Sequence, residues 1–210
     1  MAMALFFACL CALSVVSLLV ASYRRNRPWA IVAKTTASLS FVATGFFALP
    51  LDTTFGKLMM AGFLLSLVGD LFLLGVDRKN FVRGVAAFFA AQVAYSAAFV
   101  SHGLSLTTTV GALIIGLFMT GLLVIHFWPH VPQKFKPVAG AYAAAITGMV
   151  VLAAGTSVAN TNVWIFIGAL TFYVSDISVT RNAFTGHTFT NLLWGLPLYY
   201  AAQLIFALLS

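Results

Sequence analysis

The 210-residue chain has no glutamate, and its four acidic residues are all aspartates: Asp52, Asp70, Asp77 and Asp176. Charged residues make up only 7% of it. A soluble domain needs roughly a quarter to a third of its surface charged to stay dispersed in water, so a water-facing globular fold is excluded. Cysteine is nearly absent. Cys9 and Cys11 stand two apart in the first apolar run, on different sides of a helix, which excludes a disulfide framework and a cysteine metal site. Also missing are a Gly-rich phosphate cradle, a Gly-x-Ser-x-Gly elbow and a Ser-His-Asp set at one depth. His126 and His130 have metal-compatible spacing, but Pro129 lies between them where the helix is ending, so no metal and no other cofactor is expected.

Apolar residues fill the space these absences leave. Hydrophobic residues make up 62% of the chain, and its mean hydropathy is +1.04. Apolar runs bounded by charge, Pro, Asn or Gly predict membrane spans at about 3–22, 29–49, 56–75, 81–101, 107–128, 137–157, 162–180 and 189–209. At about 20 residues per span, eight spans leave only short loops, so the chain reads as one all-α, eight-span membrane domain over residues 1–210. No basic start precedes the first run, which is expected to be a retained span rather than a signal peptide.

The net charge of +7 resides at the ends of the apolar runs rather than on one face, so nucleic acid is not expected as a partner. Alternate loops hold Arg24, Arg25, Arg27, Arg78, Lys79, Arg83, Lys134, Lys136 and Arg181, while the other side holds Lys57 alone. By the positive-inside rule the nine-residue side is cytoplasmic and both chain ends lie outside, most naturally in a bacterial cytoplasmic membrane. His187, in the last of these loops, is placed to meet a lipid headgroup.

Spans three and seven echo each other. GFLLSLVGD ends in Asp70 and GALTFYVSD ends in Asp176, and Ala-Ala-Gln follows in the next span of each half, at 90–92 and 201–203. Both aspartate helices run the same way through the membrane, so the pattern suggests a parallel four-plus-four repeat. An ionised group at membrane depth costs at least about 2 to 3 kcal/mol, which makes Asp70, Asp176 and Lys34 functional candidates. Each lies four or five residues from the expected cytoplasmic end of its span, roughly 6 to 8 Å deep. Gly62, Ser66 and Asp70 form a small-residue stripe that lets a neighbouring helix approach. Tyr173 stands one turn before Asp176, Gln92 and Tyr95 share a side of span four, and Asn191, Gly195, Tyr199 and Gln203 recur every four residues in span eight.

These segments carry a resemblance. AGFLLSLVGDLFLL, the basic turn, FVRGVAAFFAAQVAYSAAF, and the later YVSDISVTRNAF and YYAAQLI resemble the YhhN-like lysoplasmalogenase family of integral membrane proteins, from Lys34 to the chain end. Gly84, Phe88 and Tyr95 extend the match around the Gly-Asp motif. The resemblance implies an eight-span enzyme that hydrolyses the vinyl ether of lysoplasmalogens to a fatty aldehyde and a glycerophospho-alcohol. Two positions depart from the family pattern: Gln92 stands where His is common, and Lys34-Thr35 where Lys-Pro is frequent. Gln92 can position a neighbour but cannot titrate near neutrality.

Vinyl ether hydrolysis needs a proton donor, a nearby anion and an activated water, a division of labour like that of the two carboxyl groups of glycosidases. Asp70 and Asp176 are the expected catalytic pair, one protonated and the other held ionised by Lys34. Gln92, Tyr95, Tyr173, Asn191, Tyr199 and Gln203 are expected to position water or a glycerol hydroxyl, and Arg78, Arg83 and Arg181 to hold a phosphate at the rim. The expected partners are a lysophospholipid substrate and the surrounding membrane lipids. Nothing in the sequence sets an oligomeric state. Two alternatives remain open: a small-molecule or proton-coupled transporter, and a non-catalytic lipid-binding protein.

Overall fold

The computed structural model describes residues 1–75, 77–186 and 188–209, so His187 lies outside the described residues. It is an all-helical polytopic bundle of eight α-helices: α1 Ala2–Tyr23, α2 Arg27–Ala48, α3 Thr54–Phe72, α4 Arg78–His102, α5 Leu106–Phe127, α6 Lys136–Ala159, α7 Val163–Phe184 and α8 Phe189–Ala207. Two short 3-10 turns, Trp128–His130 and Gln133–Phe135, join α5 to α6.

The helix starts follow local chemistry. Asn26, Thr53, Asp77, Asn162 and Thr188 each stand just before a helix and accept a hydrogen bond from a first-turn backbone N–H. Pro28 and Pro137 occupy the first turns of α2 and α6, where a missing N–H costs nothing. Seven of the helices are long and apolar enough to cross a membrane. The exception is α8, 19 residues interrupted by Asn191, Pro197, Tyr199, Tyr200 and Gln203. Its side chains at Asn191, Tyr199, Tyr200 and Gln203 are buried, so the polarity that lowers its hydropathy points into the protein.

Packing follows a ring. Consecutive helices pair as α1/α2, α3/α4, α5/α6 and α7/α8, and six of them close the circuit α2, α3, α4, α6, α7, α8 and back to α2. Shifting every helix number by four maps the contacts α1/α2, α2/α3, α3/α4 and α4/α6 onto α5/α6, α6/α7, α7/α8 and α8/α2. This is the contact pattern expected of a parallel four-plus-four repeat. The symmetry breaks at the outer helices. The first, α1, packs on α8 as well as α2, whereas α5 has no comparable packing on α4 and rests on α6. The bundle is therefore looser on the α5 side.

Small residues set the close approaches. Gly62 leaves room for the Tyr95 ring and Gly195 for the Ser178 side chain. The interior is packed with fully buried aromatic rings: Phe63, Phe172 and Phe206 surround Tyr95, Phe41 packs on Phe63, and Phe99 packs on Phe206.

Candidate active site

Asp70 sits near the end of α3, 3% exposed, and gathers donors from two other helices. Lys34 Nζ on α2 lies 3.2 Å from Asp70 Oδ1. One helical turn further along α2, Ser38 donates to Asp70 Oδ2 at 2.8 Å, and Tyr199 on α8 donates to the same oxygen at 2.8 Å. A second layer is aimed at these contacts. Tyr200 lies 3.0 Å from Ser38 Oγ and 3.4 Å from the Lys34 carbonyl oxygen, and since the Ser38 hydrogen goes to Asp70, Tyr200 shares its hydrogen between these two acceptors. Tyr95 donates to Gln203 Oε1 at 2.8 Å, and Gln203 Nε2 donates to the Tyr199 hydroxyl at 3.2 Å. Each hydrogen bond in the line from Tyr95 through Gln203 and Tyr199 runs toward Asp70. These are the surroundings of a carboxylate, in which a desolvated charge is tolerated because each oxygen has a partner.

Asp176, on α7, is placed differently. Tyr142 on α6 donates to Asp176 Oδ2 at 2.6 Å, and Gln92 Nε2 on α4 reaches the same oxygen at 3.3 Å. Among the described residues the one ion pair is that of Asp70, so Asp176 has no cation. Gln92 Oε1 is the single buried side-chain polar atom without a partner among the described residues. The four-helix shift relates the two sites: Asp70 draws partners from α2 and α8, Asp176 from α6 and α4.

Both aspartates line one cavity of about 220 Å³ that also takes in Lys34, Tyr142, Tyr173 and Tyr199. The rest of its wall is largely apolar, including Phe81, Val85, Leu123, Phe127, Phe135, Val138, Ile146, Phe184 and Leu192. Apart from Phe135, which belongs to the α5–α6 connection, these residues come from the portions of α4 to α8 nearer the α3–α4, α5–α6 and α7–α8 turns, so the cavity belongs to the basic end of the bundle. It lies beside α5, where the pairing between the two halves is incomplete. Ser175, Ser178 and Thr180 also reach the wall, but each donates its hydroxyl to a backbone carbonyl, of Phe172, Asn191 and Asp176 respectively.

Of the residues singled out in the sequence, Lys34, Asp70, Tyr173, Asp176 and Tyr199 line the cavity. Tyr95 and Gln203 stand behind Tyr199, and Gln92 behind Asp176; all three are fully buried, because their helices turn these side chains toward the bundle axis. Asn191 holds the α7–α8 connection instead, its Nδ2 donating to Asn182 Oδ1 at 2.9 Å and to Gly186 O at 3.2 Å. The three arginines are absent from the wall. Arg78 lies over the Phe135 ring at 4.1 Å, Arg83 over Phe72 at 5.9 Å, and Arg181 is exposed in the last turn of α7. Helix ends also differ from expectation. Asp70 is two residues from the end of α3, which stops at Phe72, and Asp176 is eight from the end of α7, which continues to Phe184.

Sequence reasoning missed Ser38, Tyr142 and Tyr200. Ser38 follows Lys34 by one turn, a usable signal, whereas Tyr142 stands alone in an alanine-rich stretch and carried none.

Comparison with known proteins gives the following. A family model described as the YhhN family matches residues 29–209. Lysoplasmalogenase TMEM86A of Bos taurus is 30% identical over 158 residues, covering 71% of this chain and 63% of that protein. Lysoplasmalogenase TMEM86A of Homo sapiens is 31% identical over 157 residues, with the same coverage of 71% and 63%. The match thus spans less than two thirds of the length of these curated relatives. No solved structure matches.

Proposed function

From the premise that this chain belongs to the YhhN family, we propose that it is a lysoplasmalogenase-type hydrolase, cleaving the vinyl ether of a lysoplasmalogen with Asp70 and Asp176 as its acid and base. The observation that carries this reading is that two carboxyl groups from different helices line a single, mostly apolar cavity in contrasting surroundings.

In the reaction, the proton is delivered to the vinyl carbon remote from oxygen, leaving an oxocarbenium ion. Water adds to that cation and loses a proton, and the hemiacetal collapses to a fatty aldehyde and a glycerophospho-alcohol. The net change is addition of one water. Asp176, which has hydrogen-bond donors but no cation, is assigned the proton donor. Asp70, held by Lys34, Ser38 and Tyr199, is assigned the carboxylate that faces the cation and takes the proton from water. Gln92 keeps Asp176 in place, and Tyr95 and Gln203 keep Tyr199 in place. Asn191 shapes the α7–α8 connection, and Arg78, Arg83 and Arg181 supply positive charge around the mouth for the substrate phosphate. The products are glycerophosphoethanolamine or glycerophosphocholine with the aldehyde. The basic end faces the cytoplasm, with both chain ends on the opposite side.

A carrier would need the polar path to continue to the far end of the bundle. The block of buried Phe63, Phe99, Phe172 and Phe206 beyond the cavity supports an enzyme instead.

The test is aldehyde release from a lysoplasmalogen by the purified protein in detergent, where no gradient exists. Asp70→Asn and Asp176→Asn are each expected to lose about 10²- to 10⁴-fold in kcat, the usual worth of a general acid or base. Near-wild-type turnover by either folded variant removes that residue from the mechanism.

A further inference from the structure

The direction of the hydrogen bonds around the cavity shows what it still has to offer a ligand. Thr147 on α6 gives its hydroxyl hydrogen to the carbonyl of Ala143, one turn back, at 2.6 Å. Thr120 on α5 lies 2.6 Å from Thr147 Oγ1 and 2.7 Å from the Tyr173 hydroxyl. Because the Thr147 hydrogen is already committed, Thr120 must donate to Thr147. Thr120 then has no hydrogen left for Tyr173, so Tyr173 must donate to Thr120. The chain runs Tyr173 to Thr120 to Thr147 to backbone, whatever the protonation state of either aspartate.

The other hydroxyls on the wall are committed too. Tyr142 donates to Asp176 Oδ2 and Tyr199 to Asp70 Oδ2, and the three aliphatic hydroxyls of α7 donate to backbone carbonyls. Each hydroxyl lining the cavity therefore presents lone pairs and no free hydrogen. These hydroxyls welcome a ligand group that brings a hydrogen-bond donor and have no hydrogen for one that brings only an acceptor; the hydrogens on the wall belong to Lys34 and, in its role as acid, Asp176. Tyr173 is half-buried, lines the cavity, and stands one helical turn from Asp176 on the same helix.

We infer that Tyr173 is a specificity-determining residue, its phenol oxygen accepting a hydrogen bond from the free glycerol hydroxyl of a lysolipid. This rests on the hydrolase reading for the identity of the lipid. In a lysoplasmalogen that hydroxyl is on the carbon next to the one bearing the vinyl ether oxygen, so a group one turn from the proposed acid is suitably placed to read it. A glycerolipid esterified at both positions carries a carbonyl there and no hydrogen. It would set acceptor against acceptor.

The test is equilibrium binding, which does not depend on turnover. The probes are three lysophospholipids whose chain is attached by a saturated ether and cannot be hydrolysed: one with the free hydroxyl, one with hydrogen in its place, and one with a methoxy group. The purified chain in lipid nanodiscs is expected to bind the hydroxyl lipid about tenfold more tightly than the other two, the worth of one well-formed hydrogen bond. Tyr173→Phe narrows the preference to within about twofold by weakening the hydroxyl lipid alone. Thr120→Val, which leaves the Tyr173 hydrogen unclaimed, narrows the gap from the other side by improving the methoxy lipid several-fold. The inference is overturned if Tyr173→Phe keeps the tenfold preference or weakens all three lipids equally, or if Thr120→Val gives no gain for the methoxy lipid. Aldehyde release from the vinyl ether lipid, measured in parallel on the unaltered protein, reports on hydrolysis separately, so failure of one reading is not mistaken for failure of the other.

Discussion

At the scale of single residues, Lys34 and Asp70 show how a membrane bundle tolerates charge. Either alone would cost several kcal/mol in the apolar interior, and the pair survives because Ser38 and Tyr199 occupy the carboxylate oxygen that Lys34 leaves free. Removing one partner is then worse than removing both. Lys34→Met is expected to destabilise the protein by about 3 kcal/mol, whereas Lys34→Met combined with Asp70→Asn recovers most of that loss. Thermal unfolding of the three proteins in one detergent measures it. A Lys34→Met melting temperature equal to wild type would mean that the ammonium contributes nothing to the fold. The sequence displayed this pair because charge inside an apolar run is conspicuous. It hid Tyr142, Thr120 and Thr147, because a hydroxyl on an apolar helix looks the same whether it points at a carboxylate, at a backbone carbonyl or at another helix.

At the scale of elements, the helices behave as rods whose spacing is set by small residues. On α3, Gly62 meets the Tyr95 ring of α4 with no space for a Cβ, while Gly121 on α5 faces open space. Gly62→Val is therefore expected to cost about 2 kcal/mol through overpacking and to disturb the Tyr95 to Gln203 hydrogen bond. Gly121→Ala is expected to stay within about 0.5 kcal/mol of wild type. Comparing their unfolding midpoints checks both, and equal losses would contradict the packing argument. The element boundaries were readable to within a few residues, since caps such as Asn26, Asp77 and Thr188 sit where the apolar runs begin. Depth was less readable. Counting from expected span ends put Asp70 and Asp176 at a common level, but α3 stops just after Asp70 while α7 continues for two more turns. A run's end in sequence is not the helix's end in space.

At the scale of the whole molecule, the two halves share a packing plan and differ in what they hold. Each aspartate draws on the two helices equivalent under the four-helix shift, yet one receives a lysine and two hydroxyls and the other a tyrosine and an amide. The cavity sits where the plan is incomplete, beside α5. Orientation also belongs to this scale. With Cys9 and Cys11 replaced by Ala, a membrane-impermeant maleimide applied to intact cells is expected to label Lys57→Cys and spare Lys79→Cys. The reverse pattern would put the basic end outside and contradict the positive-inside assignment.

The amino-acid sequence alone determined the membrane as solvent, the helical class, the spans and the three charges that do not belong in hydrocarbon. It could do so because transfer free energy depends on composition and run length, which are local properties. Tertiary structure alone decided which helices are neighbours, that Tyr199 and Ser38 serve Asp70 while Tyr142 and Gln92 serve Asp176, and which way each hydroxyl hydrogen points. In a bundle apolar on nearly every face, no amphipathic stripe tells a helix which side to bury, so those choices rest on contacts between residues far apart in the chain.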